Sequence, residues 1–226
     1  MSTSQRDTFF TALLTGAMAD PKFAPNSDNI RYLWRLADIA TYHARCSATP
    51  EETARHWIQK NYVIVDTETT GLGSDARIVE IAIIDCTGST LLNTLVKPAI
   101  PVPPAATAIH GITDEMVKDA PEWREIETEV IELIDRGWVA YNAEFDDRII
   151  LQSSTNDIDY PGPRCAMRLY AEHNGEWDAY RRKYKWKKLV DAASAMNVSP
   201  DDTPHRALFD CQMTLGVIRA IAGVIL

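Results

Sequence analysis

The sequence predicts an α/β fold in which helices flank a mixed β-sheet. Three apolar segments rich in β-formers, over 61–67, 77–86 and 89–97, are separated by short turns, which predicts an antiparallel meander. Helical and strand patterns then alternate toward the C-terminus, as they do where helices join parallel strands. The first sixty residues show helical patterns alone. We therefore expect a helical N-terminal extension over 1–60 and a second domain over 61–226.

The N-terminal extension is predicted to contain three helices. Apolar residues recur at helical spacing over Asp7–Met18 and Asn29–Arg45, and a short third helix is predicted over Glu51–Lys60 with Thr49 as its N-cap. Seven basic and six acidic residues leave this segment nearly neutral, and we identify no catalytic motif in it. Its sequence is compatible with a homodimer contact, with recruitment of a polymerase, helicase or repair partner, and with covering a sheet edge.

The second domain continues after the meander with a proline-rich connection, Pro98 to Pro104. A helix is predicted from about Glu122 to Arg136, and Gly137 provides its C-terminal cap. Apolar spacing predicts three further elements, which are a short strand over 138–141, a helix over 144–153 and a last helix over about 206–222.

The composition is typical of a soluble globular protein without membrane attachment. The chain has 226 residues, of which 46% are hydrophobic and 24% charged, and its apolar runs fall short of the ~20 residues of a membrane span. Its start lacks the basic-then-apolar order of a secretory signal. Four widely spaced cysteines without a C-x-x-C pair indicate free thiols in a reducing compartment, so we expect a cytoplasmic protein.

The formal charge of −9 argues against a protein that coats nucleic acid through its overall charge. It does not argue against a nuclease, because the metal-binding acids of a nuclease are themselves negative and its contacts with the nucleic-acid backbone can be local. Composition therefore leaves the function to be decided by motifs.

Two carboxylates, Asp66 and Glu68, stand one residue apart at the end of an apolar run, Tyr62-Val63-Ile64-Val65. Side chains at positions i and i+2 of a strand point to the same face, so both carboxylates converge on one spot. A hard divalent cation would offset their repulsion there. Solvated acids are also common at strand ends, so this pair gains its weight from the acids further along the chain.

A third acid, Asp146, follows the short predicted strand within Asn142-Ala143-Glu144-Phe145-Asp146. Asn142 is placed to cap the next helix. Asp146 then lies in the first helical turn, where the helix dipole favours a carboxylate. Taken alone, this motif is equally compatible with a helix-start acid that has no further role.

His205 and Asp210 belong to a third motif, His205-Arg206-Ala207-Leu208-Phe209-Asp210. Five helical steps separate two side chains by ~140°, so both could not easily face one site from the middle of a helix. Pro204 places His205 at the junction of loop and helix, from where it can lean toward a site that Asp210 reaches from the helix. A lone histidine in such a position is more often a capping or solvent-facing residue.

Four carboxylates and one histidine at strand ends and helix starts fit two-metal hydrolysis of a phosphodiester. In such sites two divalent ions ~4 Å apart activate water and stabilise the leaving oxygen. Oxygen ligands favour Mg²⁺ or Mn²⁺ over zinc. A histidine with an unperturbed pKa of ~6.5 can take the proton from the attacking water.

In order and spacing, Asp66-x-Glu68, Asn142-x-x-x-Asp146 and His205-x-x-x-x-Asp210 closely resemble the three motifs of the DnaQ-like 3′–5′ exonucleases. The histidine is that of the DEDDh branch, since the sister branch has a tyrosine where this chain has Arg206. The segment 108–113, Ala-Ile-His-Gly-Ile-Thr, resembles the loop that lines the family's 3′-terminal nucleotide pocket. Segments 165–169 and 205–211 look most like the exonuclease X and proofreading exonuclease group. The resemblance covers roughly 61–226 and implies a ribonuclease H-like fold.

The resemblance implies a role for each matching residue. The ligands of two Mg²⁺ or Mn²⁺ ions would be Asp66, which would bridge both ions, together with Glu68, Asp146 and Asp210, and the general base would be His205. The terminal nucleotide would be contacted by Thr69, Thr70, Gly71, Ile109, His110, Asn142 and Phe145. Some members bind the terminal 3′-hydroxyl with an acid before the His-Gly pair, whereas this chain has Pro103-Pro104-Ala105-Ala106 there.

The activity implied by the resemblance is removal of nucleoside 5′-monophosphates from the 3′ end of single-stranded or frayed nucleic acid, with DNA favoured. Two alternatives are an RNA 3′-end exonuclease of the same fold and a non-catalytic binding or proofreading accessory module. The intact set of four carboxylates favours catalysis, because a pure binding module has no need of them all.

A basic and aromatic segment over 164–188 is the predicted contact with the substrate. Basic groups there can hold phosphates while the interleaved rings stack on unpaired bases. The alternative is a solvated helix face whose aromatic residues lie partly in the core. The residues concerned are Arg164, Arg168, Arg181, Arg182, Lys183, Lys185, Lys187 and Lys188, with Trp177, Tyr180, Tyr184 and Trp186.

Overall fold

The computed structural model describes residues 5–19, 30, 33, 49–154, 158, 160–198 and 205–224. The chain divides into two compact units, 1–49 and 50–226. The first unit contains helix α1 (Gln5–Met18), close to the predicted Asp7–Met18. The predicted helix over Asn29–Arg45 lies almost entirely outside the described residues. Within the described part of the chain, no helix is both long and apolar enough to cross a membrane.

The boundary between the two units lies at the start of helix α2 (Pro50–Gln59) and not at residue 60 as predicted. Helix α2 belongs to the second unit because its apolar face is buried there. Ala54 and Trp57 of α2 are almost fully enclosed, and the helix packs against the last helix of the chain. Helical periodicity predicts the apolar face of α2, but not which unit covers that face.

A five-stranded mixed sheet forms the centre of the second unit, which confirms the predicted fold class. The order across the sheet is β3-β2-β1-β4-β5. Strands β1, β2 and β3 pair antiparallel as the predicted meander, and β1, β4 and β5 pair in parallel. The strands are β1 (Val63–Thr69), β2 (Ile78–Ile84), β3 (Thr90–Leu95), β4 (Trp138–Ala140) and β5 (Arg164–Cys165).

Helices pack on both faces of this sheet and against one another. They are α3 (Pro104–His110), α4 (Asp114–Val117), α5 (Trp123–Asp135), α6 (Ala143–Ser153), α7 (Ala166–Asn174), α8 (Leu189–Ala195) and α9 (Ala207–Ala222). Successive side chains of a strand point to opposite faces, so β1 contributes to two layers. Val63 and Val65 join the core that includes α5 and α6. Helix α9 packs against β1 and β2, with Cys211 Sγ 3.5 Å from the carbonyl oxygen of Ile64.

The short helices α3 and α4 were not expected from the sequence pattern, because seven and four residues are too few to show a helical period. Pro104 opens α3 in the first turn, where proline is tolerated. Gly111 ends it with a φ of 73°, a left-handed conformation that favours glycine. Thr113 caps α4 by accepting a hydrogen bond from the N–H of Met116. The predicted nucleotide-pocket segment is therefore partly helical.

A separate two-stranded hairpin follows α7. It consists of β6 (Trp177–Asp178) and β7 (Lys183–Tyr184), paired antiparallel. Strands of two residues carry no recognisable alternation, so the sequence did not predict them.

Three of the four cysteines are described, and Cys86, Cys165 and Cys211 are free thiols.

Candidate active site

Three carboxylates converge beside the end of β1. Asp66 and Glu68 project from the strand face on which α9 packs, and Asp210 reaches them from the first turn of α9. One carboxylate oxygen from each residue lies within 4.8 Å of those of the other two. All three residues are partly exposed, so the cluster is open to a ligand from solvent.

Asp146 approaches the same place from the first turn of α6. The residue is buried, and its Oδ1 accepts a hydrogen bond of 2.8 Å from the hydroxyl of Thr67. The negative charge of Asp146 reaches Asp66 and contributes to the raised pKa of that carboxyl. This role of Thr67 was not predicted from the sequence. The feature that could have indicated it is a hydroxyl between two acids, which points to the opposite face of the strand.

Burial raises the pKa of all four carboxyls. It is the largest cause for Asp66, whose pKa lies well above its ordinary value, for Glu68, whose pKa rises to about 8, and for Asp146, whose pKa rises to about 7. The pKa of Asp210 is also raised by burial, although His205 acts in the opposite direction. Neighbouring carboxylates raise the pKa values of Asp66 and Glu68 further. A divalent cation would relieve this repulsion, and an all-oxygen ligand set suits Mg²⁺ or Mn²⁺.

His205 stands just outside α9, as the motif predicted. Its φ of 65° is in the left-handed region, which is uncommon for a non-glycine residue, and its side chain is exposed. The N-cap of the helix is Arg206, and the backbone N–H of His205 donates a hydrogen bond to the Asp210 carboxylate. This turn places the imidazole beside the carboxylate cluster. Pro204, to which the prediction assigned the break, lies outside the described residues.

An ion pair between a buried glutamate and a half-exposed arginine, which was not predicted from the sequence, holds the start of α9 against the sheet. Glu80 of β2 stands directly opposite Glu68 and is almost fully buried. Arg206 Nε lies 3.1 and 3.0 Å from the two Glu80 oxygens, and the N–H of Ala207 donates to Oε2 at 3.0 Å. The sequence feature that could have indicated this ion pair is Glu80, a single acid within the otherwise apolar strand Ile78–Ile84.

The predicted substrate residues Thr69, Thr70 and Gly71 form the turn that leaves β1. The hydroxyl of Thr69 donates to the carbonyl oxygen of Gly71 at 2.8 Å. The hydroxyl of Thr70 accepts from the N–H of Arg77 at 2.9 Å. Both threonines are buried, so these bonds set the shape of the turn next to the carboxylates.

Ile109 and His110 occupy the end of α3 with opposite exposures. The Ile109 side chain is 61% exposed, which leaves an apolar surface available to a ligand. His110 is buried: its Nδ1 accepts from the N–H of Ile112 at 3.0 Å, so Nε2 carries the proton toward the Thr69 carbonyl oxygen 3.3 Å away. Burial lowers the pKa of His110, in keeping with a neutral ring. The observed contacts of His110 therefore join α3 to the end of β1.

Asn142 and Phe145 flank the start of α6. Asn142 occupies the N-cap position, but the predicted side-chain cap is absent; its carbonyl oxygen accepts the N–H of Phe145 at 2.8 Å instead. The Asn142 side chain is exposed and makes no capping hydrogen bond to the helix. The Phe145 ring packs partly against the core, with the Arg148 guanidinium 5.2 Å from its centre.

Comparisons with known proteins agree with this site. A family model described as Exonuclease matches residues 63–218. "Uncharacterized exonuclease CP81" of Escherichia phage 186 is 49% identical over 186 residues, which are 78% of this chain and 95% of that protein. "Exodeoxyribonuclease 10" of Escherichia coli strain K12 is 35% identical over 163 residues, or 69% of this chain and 66% of that protein.

A solved structure of exonuclease X in complex with 5′ overhanging duplex DNA is similar in both sequence and fold. It is 31% identical with a TM-score of 0.55, and the match covers 72% of this chain and 91% of that one. The matched region contains all three acidic motifs. The chain therefore belongs to the DnaQ-like DEDDh family of 3′–5′ exonucleases, hydrolases built on a ribonuclease H-like mixed sheet.

Proposed function

We propose that this exonuclease removes nucleotides one at a time from the 3′ end of DNA and releases nucleoside 5′-monophosphates. The observation that carries the proposal is the convergence of Asp66, Glu68 and Asp210, with Asp146 and His205 beside them. The preference for DNA is supported by the names of two similar proteins, an exodeoxyribonuclease and an exonuclease bound to DNA. Single-stranded and frayed ends are the expected substrates.

The carboxylates would hold two divalent cations. Asp66, Glu68, Asp146 and Asp210 would hold them, because the first, second and fourth of these carboxylates converge and Asp146 lies close enough for its charge to raise the pKa of Asp66. Mg²⁺ or Mn²⁺ bound there would activate water and neutralise charge on the phosphate. The protein's own contribution is to hold these oxygens in place, as the Thr67 hydroxyl does for Asp146 Oδ1.

His205 is the proposed general base. It takes a proton from the water whose oxygen attacks the terminal phosphorus. The bond between phosphorus and the 3′ oxygen of the preceding nucleotide breaks, and that oxygen is protonated to become the new 3′-hydroxyl. The exposed position of His205 suits this role, because the acceptor must reach water and then return its proton to solvent.

The terminal nucleotide would lie between the turn after β1 and the end of α3. Ile109 offers an exposed apolar surface for the base, and Phe145 borders the same end of the sheet. Asn142 has an exposed amide that can hydrogen-bond the nucleotide. His110 would act on the pocket through its contact with Thr69, and the turn Thr69-Thr70-Gly71 would carry the backbone that faces the sugar and phosphate.

Digestion of matched single-stranded DNA and RNA with Mg²⁺ tests both the reaction and the polymer. We expect mononucleotide products, faster release from DNA, and loss of release in His205→Ala. Glu129→Ala, which removes an exposed carboxylate on α5, is the control and should behave as the wild type. Faster release from RNA would assign the enzyme to RNA 3′ ends instead. Binding without products would favour an accessory module, and undiminished release in His205→Ala would exclude the histidine as base.

A further inference from the structure

Residues 176–188, called here the basic–aromatic hairpin, expose an unusual amount of ring surface. They comprise Glu176, β6, the turn, β7 and the four residues that follow. Tyr180 is 93% exposed, Trp186 57%, Trp177 52% and Tyr184 38%. This exposure contradicts the alternative in which these rings lie partly in the core, and the segment is a hairpin rather than a helix face.

Three of the four rings, those of Trp177, Tyr184 and Trp186, make contacts within the hairpin. Trp177 and Tyr184 pair across the two strands, and their rings meet edge to face with centres 5.1 Å apart. The Lys183 ammonium lies 5.6 Å from the centre of the Trp186 ring. The N–H of Lys185 donates to the Glu176 carbonyl oxygen at 2.8 Å. An ordered surface of this kind loses little conformational freedom when a ligand stacks on it.

The same surface is positively charged in a negatively charged chain. Six basic and two acidic residues give the hairpin a formal charge of +4, against −9 for the whole protein. The two acids are engaged within the hairpin: Glu176 binds Lys185 and Lys187 at 2.8 Å, and Asp178 binds Arg181 at 3.0 Å. Arg164, included in the basic segment predicted from sequence, is not part of this surface, because its guanidinium stacks 4.0 Å from the ring centre of Tyr62.

The hairpin is attached next to the catalytic carboxylates. The buried Tyr141, which follows β4 and immediately precedes Asn142, donates its hydroxyl to the Lys187 carbonyl oxygen at 3.0 Å. Since β4 is parallel to β1, the carboxyl ends of both strands lie at the same edge of the sheet. Helix α6, which carries Asp146 in its first turn, begins at that edge as well. A strand whose 3′ end lies at the carboxylates can therefore extend toward the hairpin.

We propose that the basic–aromatic hairpin binds a single-stranded stretch of the substrate on the 5′ side of the nucleotide being removed. Unpaired bases stack on Tyr180, Trp177 and Trp186, and the surrounding lysines and arginines contact the phosphates. Single-stranded nucleic acid is the occupant that fits, because bases in a duplex are already stacked and do not offer their faces to aromatic side chains. The proposal rests on the proposed function, since it assigns the hairpin to the same substrate.

Binding without turnover tests the hairpin separately from catalysis. Fluorescence anisotropy in EDTA measures the affinity of the 226-residue chain for a single-stranded DNA of about 30 nucleotides and for a blunt duplex of the same length. The variants are Tyr180→Ala with Trp186→Ala, and Arg182→Gln with Lys183→Gln. Tyr180→Phe with Trp186→Phe is the matched control, because it keeps an aromatic ring at each of the two positions.

We expect the double alanine variant to bind the single strand at least about 10-fold more weakly and the phenylalanine control to bind within about 2-fold of the wild type. For the glutamine variant, the slope of log affinity against log salt concentration should be smaller by the equivalent of about two phosphate contacts. Equal single-strand affinity in wild type and alanine variant would overturn the proposal. Loss of duplex affinity alone would overturn it too, in favour of a duplex contact.

Steady-state digestion distinguishes failure of this proposal from failure of the proposed function. The alanine variant should have a KM raised about 10-fold on the long single strand, with kcat unchanged and with little effect on an oligonucleotide of about 3 nucleotides, which is too short to reach the hairpin. A wild type that binds single strands through the hairpin but releases no nucleotides would refute the catalytic assignment and leave the hairpin assignment standing. Equal KM values on the long strand would refute the hairpin alone.

Discussion

The backbone that carries His205 is anchored by the ion pair between Glu80 and Arg206. The pair does three things at once: it offsets the charge of a buried acid opposite Glu68, satisfies the first N–H of α9 through Ala207, and fixes the residue next to the proposed base. In the sister branch of the family a tyrosine would occupy the position of Arg206. Here Arg206 occupies that position and connects the residue next to the proposed base to β2.

Replacing Glu80 with glutamine is expected to lower the rate more than the affinity. The variant keeps the size of the side chain but leaves Arg206 without a full counter-charge, so the turn at His205 loses its anchor. We expect kcat to fall about 10- to 100-fold with KM nearly unchanged. The free energy of unfolding should fall by about 1–3 kcal/mol. Denaturant unfolding and steady-state kinetics on single-stranded DNA measure both effects.

Glu132→Gln is the matched control, because Glu132 is an exposed acid on α5. It should leave the rate unchanged and the free energy of unfolding within about 0.5 kcal/mol of the wild type. A Glu80→Gln protein that loses stability but keeps the wild-type kcat would show that the ion pair supports the fold and not the base.

The crowded carboxylates also predict a pH-dependent stability. A carboxyl whose pKa is higher in the folded chain than in the unfolded chain binds protons more tightly when folded, so the free energy of unfolding decreases as pH rises between the two values. For Glu68 this window runs from its ordinary pKa of 4.5 to about 8. We expect the metal-free protein to lose stability across this window and Mg²⁺ to raise Tm most at its upper end.

Glu68→Gln removes one of these carboxyls and serves as the comparison. In EDTA it should be more stable than the wild type near the upper end of the window, by at least about 1 kcal/mol given ~1.4 kcal/mol per pKa unit, and similar near the lower end. Parallel pH profiles of Tm for wild type and Glu68→Gln would contradict a raised pKa at this position.

At the scale of elements, β1 and the start of α9 explain why so much of the site was predictable. The alternation of a strand places Asp66 and Glu68 on one face whatever the rest of the fold does. Glu80 was not predicted, because its position opposite Glu68 depends on the register of two strands, which no local pattern encodes. The composition of this segment predicted a contact with the substrate, but its hairpin structure was not predicted, because its strands have only two residues each.

Helix α9 packs so closely against the segment after α8 that Gly216 has no room for a side chain. A Cβ at this position would lie 2.5 Å from Cγ1 of Val198, a stiff β-branched side chain. Gly216→Ala adds helix propensity worth about 1 kcal/mol. We expect the clash to outweigh this gain, so that the free energy of unfolding falls by about 1–3 kcal/mol.

The double variant Gly216→Ala with Val198→Ala tests this steric interpretation. Removing the two methyl groups makes room for the new one, so stability should recover above that of Gly216→Ala alone. Denaturant unfolding of the two single variants and the double variant completes the cycle. If the two effects simply add, steric contact is not the reason for glycine at this position.

At the scale of the whole molecule, charge is distributed in a way that suits a polyanionic substrate despite a net charge of −9. Carboxyl groups converge in the cluster of Asp66, Glu68 and Asp210, whose mutual repulsion divalent cations would relieve. The hairpin, at +4, lies on the same edge of the sheet as that cluster. Overall composition could exclude only a general coating protein, because function depends on where the charges lie.

Removal of nucleotides from a 3′ end is expected to depend on the carboxylates at the end of β1. The measurement is gel analysis of a 5′-labelled single-stranded DNA incubated with Mg²⁺, with Asp66→Asn as a variant of nearly unchanged size. We predict a ladder that shortens one nucleotide at a time for the wild type, and a rate at least about 1,000-fold lower for Asp66→Asn. An unshortened strand, internal cleavage products, or an Asp66→Asn protein as active as the wild type would contradict the account.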